Sequence, residues 1–362
     1  MQKRDSFFLK MVKLMIAIIV SFNTIMLCIF SVLVVIGILV AILFWSGPTS
    51  TFQYTTESGD HLASNKILSV KVNGLILGDN TEADLFGFLS QGVTYGYEVK
   101  QELMEAVNDP NIKGVIVEIN SPGGTIYGSR AIADGISYYR TKTGNPVSVF
   151  ISGLAASGGY MAGVTADSMY ADHGSTIGSI GVILGPIKYY DGVVSEGGLL
   201  QGEVVTENGI ESTFITAGKS KDMGNPYRRL TREEQDALQQ MVNSEYQGFV
   251  SFVSQHRKIN RDTLVNSVGA LIYDNATATR YNLIDGTKNQ QQAVEAVAKK
   301  AGVLSDYQVV GKITELGFFE YLFGAQAFYK KPQTTASSCV PTQGVLAYHG
   351  DLNIFCGSVY SK

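Results

Sequence analysis

The stretch PVSVFISGLAASGGYMA, Pro146–Ala162, decides how this chain is read. Its first part, Pro146–Ile151, reads as a strand, and its second sets Ser157 among Ala155, Ala156, Gly158 and Gly159 at the mouth of a helix expected over Ala155–Gly163. A strand that turns sharply into a helix presents a hydroxyl while removing bulk around it, so that a peptide carbonyl can approach closely. The same small residues also suit a close packing turn, and the pattern alone does not choose between the two.

A rhythm of strand and helix surrounds this stretch. Glu98–Asn108 carries Leu103, Met104 and Val107 at helical spacing, Gly114–Ile119 is a compact branched strand, and Thr125–Tyr139 reads as a helix. Short strands are expected over Ser168–Ala171, Ile180–Ile183 and Thr213–Thr216. Such alternation favours parallel strands covered by helices, an α/β fold whose strand ends deliver loops to one site. Downstream, Thr231-Arg-Glu-Glu234 is a capping box opening a long helix to about Gln255. Gln290–Lys300 is a further helix and Tyr307–Val310 a last strand. Upstream, Lys66–Asn73 alternates as a strand ending at Gly74, while Gly78–Gly96 has no steady period and reads as a loop.

A second turn, Asn120-Ser-Pro-Gly-Gly124, again comes directly after a strand. Pro122 stiffens it, and Gly123 and Gly124 can point backbone amides at an anion, as an oxyanion requires. Neither GxGxxG nor GxxxxGK[ST] occurs here, so dinucleotide and phosphate loops lose support. A serine nucleophile also needs a base. His173 lies in an Asp-His-Gly turn with no evident orienting carboxylate. Lys219 and Lys221, in Ala217-Gly-Lys-Ser-Lys-Asp-Met223, are candidates, because a lysine becomes a base where burial drives off its charge. A solvated surface pair is the plainer reading of both.

The 362 residues are 45% hydrophobic, enough for a sizeable core, and the net charge of −4 offers no basic excess for nucleic acid. His61, His173, His256 and His349 are scattered without HExxH spacing, and the three cysteines form no CxxC, so neither a metal nor another cofactor is expected. Leu14–Trp45 is uncharged and long enough to cross a hydrocarbon layer of roughly 30 Å. It is too long for the apolar part of a cleaved signal peptide. Lys3, Arg4, Lys10 and Lys13 precede it and Glu57 and Asp60 come after it, so the positive-inside bias keeps the N-terminus in the cytoplasm. The rest of the chain then lies on the outer side of the cytoplasmic membrane. Gly47–Asn65, rich in Ser, Thr and Gly, reads as a linker. Cys339 and Cys356 stand where an oxidising compartment permits a disulfide. Gly317–Phe328 is aromatic, suited to the chain's own core or to a neighbouring subunit or lipid.

Taken in order, Asn120-Ser-Pro-Gly-Gly124, Ala155-Ala-Ser-Gly-Gly-Tyr160, Gly178-Ser-Ile-Gly-Val182, Gly218-Lys-Ser-Lys-Asp222 and Tyr273…Ala278…Leu283-Ile-Asp285 resemble the signal peptide peptidase A family. These are the S49-type serine peptidases, here in their short single-domain form, and the likeness covers roughly Lys66 to Gly311. The resemblance implies a ClpP/crotonase-like fold of stacked ββα units, preceded by one transmembrane helix. It implies a Ser/Lys dyad with Ser157 as nucleophile and Lys221, the lysine immediately before an aspartate, as general base rather than Lys219. Ser179 would orient the lysine, and Gly123 with Gly124 beside it would bind the oxyanion. The resemblance further implies a membrane-anchored endopeptidase acting on hydrophobic peptides such as remnant signal peptides, assembled as a ring-forming homo-oligomer and needing no cofactor.

On this reading residues 1–13 are cytoplasmic, 14–45 form the anchor, 46–65 the linker, 66–314 the peptidase domain and 315–362 a C-terminal extension. Ile183–Phe214 is longer than the corresponding stretch in short members of the family, and the extension lies outside the shared motifs. Two other classes fit parts of the pattern. An acyl-transfer enzyme of the same fold keeps the oxyanion amides without needing a Ser–Lys pair, although a site outside the membrane is awkward for CoA. In a non-enzymatic membrane scaffold the glycines would merely pack.

Overall fold

The structure is a computed structural model that describes residues 2–44, 54–79, 92–185, 187, 215–225, 228–312 and 346–348, and it divides into units Met1–Thr51 and Phe52–Lys362. The first unit holds one helix, α1 (Gln2–Phe44). Within it the 27 residues Lys10–Ile36 are long and apolar enough to cross a membrane, at about 1.5 Å of rise per residue. Large apolar side chains such as Phe22, Leu27 and Phe30 are exposed around it. A helix apolar on all sides needs lipid or another apolar surface to cover it.

The second unit contains β1 (Tyr54–Gly59), β2 (Lys66–Leu77), β3 (Val93–Tyr95), α2 (Gly96–Ala106), β4 (Ile112–Thr125), α3 (Ile126–Thr143), β5 (Val147–Ala156), α4 (Gly158–Gly163), β6 (Ser168–Ala171) and β7 (Thr176–Gly178). After these come α5 (Arg232–Arg257), α6 (Arg261–Thr263), β8 (Ile272–Tyr273), α7 (Asn275–Arg280), β9 (Gly286–Thr287), α8 (Gln290–Lys300), β10 (Gln308–Lys312) and β11 (Leu346–Tyr348). The main sheet runs β1-β10-β2-β4-β5-β6-β9. All its neighbours are parallel except β1, which pairs antiparallel with β10 at the edge.

The apolar run of β4 is what a central parallel strand demands, because helices cover both of its faces. Alternate side chains go to opposite sides. Leu68, Val115, Val117, Val149 and Ile151 join Leu103 of α2 and Ile132 and Ile136 of α3. Ile67, Ile116 and Phe150 join Ala293, Val294 and Val297 of α8. Burying each large aliphatic side chain contributes about 1.5–3 kcal/mol.

The expected mixture of parallel strands and covering helices is present, and α5 opens on the expected capping box of Thr231 and Glu234. Several local features differ from expectation. Gly74 does not end β2: it takes a φ of 67°, the register to β4 shifts between Asn73 and Leu75, and the strand continues. The left-handed glycine makes a bulge where composition reads as a stop. Inside the expected loop, Val93–Tyr95 pairs with Leu75–Leu77 as β3. Inside the stretch read as a linker, Tyr54–Gly59 forms β1. No strand covers Ile180–Ile183; β7 ends at Gly178, and Ser179, at a φ of 53°, breaks the extended run. Strand β5 runs to Ala156, so the helix expected from Ala155 starts at Gly158. Residues 188–214, the aromatic stretch 317–328, Cys339 and Cys356 lie outside the described residues.

Candidate active site

Strands β4, β5 and β7 converge at Ser157. Ser121 of β4 stands level with Ala155 of β5, and Ala156 stands level with Gly178 of β7. Ser157 comes next in the chain, fully buried, with φ 54° and ψ −117°. Such a backbone costs on the order of 1–3 kcal/mol in a non-glycine residue and persists only where its surroundings over-determine it. Here its amide donates to Gly178 O at 2.9 Å, its carbonyl accepts from the Met161 amide at 2.9 Å, and Oγ donates to Gly181 O at 3.3 Å. The result is a sharp elbow that fixes the direction of one hydroxyl.

The neighbouring Asn120–Gly124 turn is built around Ser121, whose Oγ donates to Gly74 O at 2.6 Å and accepts from the Gly123 amide at 3.0 Å. Gly123 has a φ of 103°, which favours glycine there. The turn and α4 touch: a Cβ on Gly159 would lie 2.6 Å from Ser121 O, so only glycine lets the helix seat this closely. Ser179 is also buried and strained, its amide donating to Leu271 O at 2.7 Å and its carbonyl accepting from the Gly181 amide at 2.8 Å. Its hydroxyl forms no hydrogen bond among the described residues, so it is free to hold another donor or acceptor.

Behind α4, the Tyr160 hydroxyl donates to Leu283 O at 2.8 Å, and burial pushes this phenol above its ordinary range. Arg257 donates to Asn282 O and to both Asp285 oxygens, and Asp285 accepts from the Met169 amide at 2.7 Å. The Leu283-Ile-Asp285 block therefore braces the helix that carries Ser157.

Lys221 has different surroundings. It is exposed on a turn whose amide donates to Gly218 O at 3.3 Å. Lys219 is committed to an exposed ion pair with Glu233, whereas Lys221 pairs with no carboxylate among the described residues. The adjacent Asp222 is gripped by Arg228, which bonds both its oxygens at 2.8 Å and both oxygens of Glu234 at 2.8 Å. The guanidinium holds both carboxyls below their usual range. The single chain thus brings together Ser157, Ser179 and the Gly123–Gly124 turn, and no hydrogen bond joins Lys221 to them.

Two residues that matter to this geometry, Ser121 and Arg228, are not distinguished by the sequence pattern. Ser121 lies inside a quoted turn, but its double hydrogen bond depends on Gly74, far away in sequence. Arg228 has no periodic or motif signal at all. His173 is exposed and belongs to no cluster around Ser157. Among the described residues no group of three His, Cys, Asp or Glu side chains is placed to hold a metal ion.

The model for peptidase family S49 matches residues 139–304, and that for Clp protease matches residues 90–172. A protein of Methanocaldococcus jannaschii named as a protease is 30% identical over 276 residues, 76% of this chain and 83% of its own. One of Enterococcus faecium, named as signal peptide peptidase SppA, is 32% identical over 259 residues, 71% of this chain and 70% of its own. A solved structure of the 1510-N membrane-bound stomatin-specific protease spans 70% of this chain and 100% of its own, at 12% identity and a TM-score of 0.42, a loose likeness.

Proposed function

Because the chain belongs to peptidase family S49, we propose that its serine-peptidase chemistry runs through Ser157 as nucleophile and Lys221 as general base. The protein is a membrane-associated serine peptidase acting on peptides. The observation that carries the proposal is the fully buried Ser157, strained at a φ of 54°, between the glycine turn and a buried Ser179 whose hydroxyl makes no hydrogen bond among the described residues.

Neutral Lys221 takes the Ser157 proton as Oγ attacks the scissile carbonyl carbon, and the amide of Gly123, with Gly124 beside it, faces the developing oxyanion. The Gly123 amide now bonds Ser121 Oγ, a neutral acceptor that an oxyanion outcompetes. Lys221 then protonates the leaving amine and afterwards activates water to hydrolyse the acyl-enzyme. Ser179 accepts from the lysine amine and aims it.

A lysine works as a base only where it is sheltered from water. Lys221 is exposed in the single chain, so the catalytic form has a cover over it, and a ring of identical subunits supplies one. The parallel strands and the match to the Clp protease model support stacked ββα units of the ClpP/crotonase type. The membrane-length helix and the basic residues before it support a single-pass anchor with the catalytic part outside the cytoplasm. Hydrophobic peptides left in a membrane, remnant signal peptides among them, are the substrates that such an enzyme meets, and the name of the Enterococcus relative points the same way.

The test is hydrolysis of an apolar signal-like peptide by the detergent-solubilised full chain, with mass spectrometry of the fragments. Ser157→Ala and Lys221→Ala are expected to abolish cleavage and Lys219→Ala to retain it. Cleavage surviving Ser157→Ala refutes the nucleophile, and activity lost with Lys219 but kept without Lys221 reassigns the base.

A further inference from the structure

The glycine turn is aimed by a hydroxyl where the sheet ladder has a gap. Strands β2 and β4 are in step at Asn73 with Asn120 and again at Leu75 with Gly123, so Ser121 and Pro122 together stand against Gly74 alone. Pro122 has no N–H to give to the ladder at this level. The hydroxyl of the fully buried Ser121 takes that place, donating to Gly74 O at 2.6 Å. A serine hydroxyl has one proton to give, so Oγ can meet the Gly123 amide, 3.0 Å away, only as an acceptor. That bond decides the direction of an N–H which glycine, free to take a φ of 103° or many others, leaves undecided.

The Gly74 carbonyl is itself fixed from the far side of β2. Buried Thr94 of β3 brackets the residue before the bulge: its Oγ1 accepts from the Asn73 amide and donates to Asn73 O, both at 2.9 Å. The residue after the bulge, Leu75, donates its amide to Gly92 O at 2.9 Å. Gly74 lies between these two anchors without room for a side chain, since a Cβ there would overlap the Gly92 carbonyl. A line of contacts thus runs from Thr94 through the Gly74 bulge to Ser121, and ends at the amide proposed to receive the oxyanion.

Resting on the assignment of Ser157 as nucleophile and Gly123 as oxyanion donor, we infer that Ser121 is a positioning residue for the transition state, and that Thr94 sets it through Gly74. In the resting chain the Gly123 N–H is paired with a neutral oxygen, so the donor stays aimed without being left unsatisfied. As charge gathers on the substrate oxygen, the N–H is shared with that stronger, charged acceptor, while Ser121 keeps its bond to Gly74. Ser121 touches no reacting atom. It lowers the barrier by holding the donor in place before the reaction starts. A peptide carbonyl in the ground state carries little charge, so the effect falls on kcat rather than on KM.

The experiment uses the full chain in detergent, a signal-like peptide as substrate, and a peptide aldehyde ending at the cleavage site, which adds the Ser157 hydroxyl and so mimics the tetrahedral intermediate. Ser121→Ala is expected to lower kcat by about tenfold to a hundredfold with KM within about threefold, since outright loss of an oxyanion donor costs about a hundredfold to a thousandfold. Affinity for the aldehyde should fall by the same factor. Binding of the uncleaved peptide should be equal in Ser157→Ala and in the double variant that adds Ser121→Ala, which a merely structural role for Ser121 would not give. Thr94→Val, similar in size but without the hydroxyl, should lower kcat by about threefold to tenfold, and Thr94→Ser should recover most of it. The inference is overturned if Ser121→Ala, or Thr94→Val where the former does not fold, keeps full kcat or loses it without a matching loss of aldehyde affinity. Cleavage that survives Ser157→Ala overturns instead the assignment of the nucleophile, and this inference with it.

Discussion

The elbow that carries Ser157 and the turn that carries Lys221 are held in contrasting ways. Ser157 is fixed by backbone bonds from two adjoining segments, a buried helix behind it and a glycine that lets that helix touch Ser121. Lys221 stands exposed on a turn tied to the body largely through Arg228, which joins Asp222 to Glu234 in the capping box of α5. The proposed nucleophile is thus preorganised by the sheet of one chain, whereas the proposed base depends on an ionic clamp and on whatever covers it.

Lys221→Ala is the most severe test of that contrast. Peptide hydrolysis should fall by about a thousandfold or more, while the melting temperature stays within a degree or so, because the exposed side chain makes no hydrogen bond or ion pair among the described residues. A large loss of thermal stability would contradict the exposed, unanchored place given to this residue. Gly159→Ala comes next. Its new methyl meets the Ser121 carbonyl, so the elbow and the glycine turn must part, and a loss of about a hundredfold in kcat is expected, as small misplacements of reacting groups cost that much. Crystallography or amide exchange of the variant would show whether the turn has moved.

Arg228→Gln should cost roughly tenfold, mainly in kcat, by freeing Asp222 and with it the turn of Lys221. Adding salt should weaken wild type in the same direction, since a part-exposed ionic clamp is screened. Activity independent of Arg228 would mean that the cover over Lys221, not the clamp, sets its position.

The smallest effect on activity is expected far from the site, at Glu102 on the buried face of α2. Burial, more than the opposing pull of Lys312 or the added push of Glu105, raises its carboxyl from 4.5 to about 7. The folded chain therefore keeps a proton there that the unfolded chain gives up, so stability held below pH 4.5 is lost as pH rises through about 7. Glu102→Gln cannot ionise and should be more stable than wild type at pH 8, by up to ~3 kcal/mol, with little difference near pH 4. Denaturant midpoints at the two pH values check this, and peptidase activity per folded molecule should not change.

Much of the fold is legible in the residues alone. Gln290–Lys300, Ser168–Ala171 and the Thr231 capping box can be read directly because helix periodicity, short branched runs and capping act within a few residues. The serine elbow is legible as a strand meeting small residues, although its helix begins three positions later than the composition implies, since β5 keeps pairing with β7 through Ala156. Gly74 reads as a stop yet forms a bulge, because Leu75 and Ile76 beyond it find partners in both β3 and β4.

The amino-acid sequence by itself determined which residue types lie on each element and where turns fall, because hydrophobic period, glycine and capping are local properties of the chain. Only the tertiary structure decided that Tyr54–Gly59 is an edge strand, that Arg228 joins Asp222 to Glu234, and that Leu346–Tyr348 lies along Gly123–Thr125. Each of these depends on backbone or charged groups distant from one another or unmarked by any local period, and a donor, an acceptor or a charge carries no sign of the partner it will find.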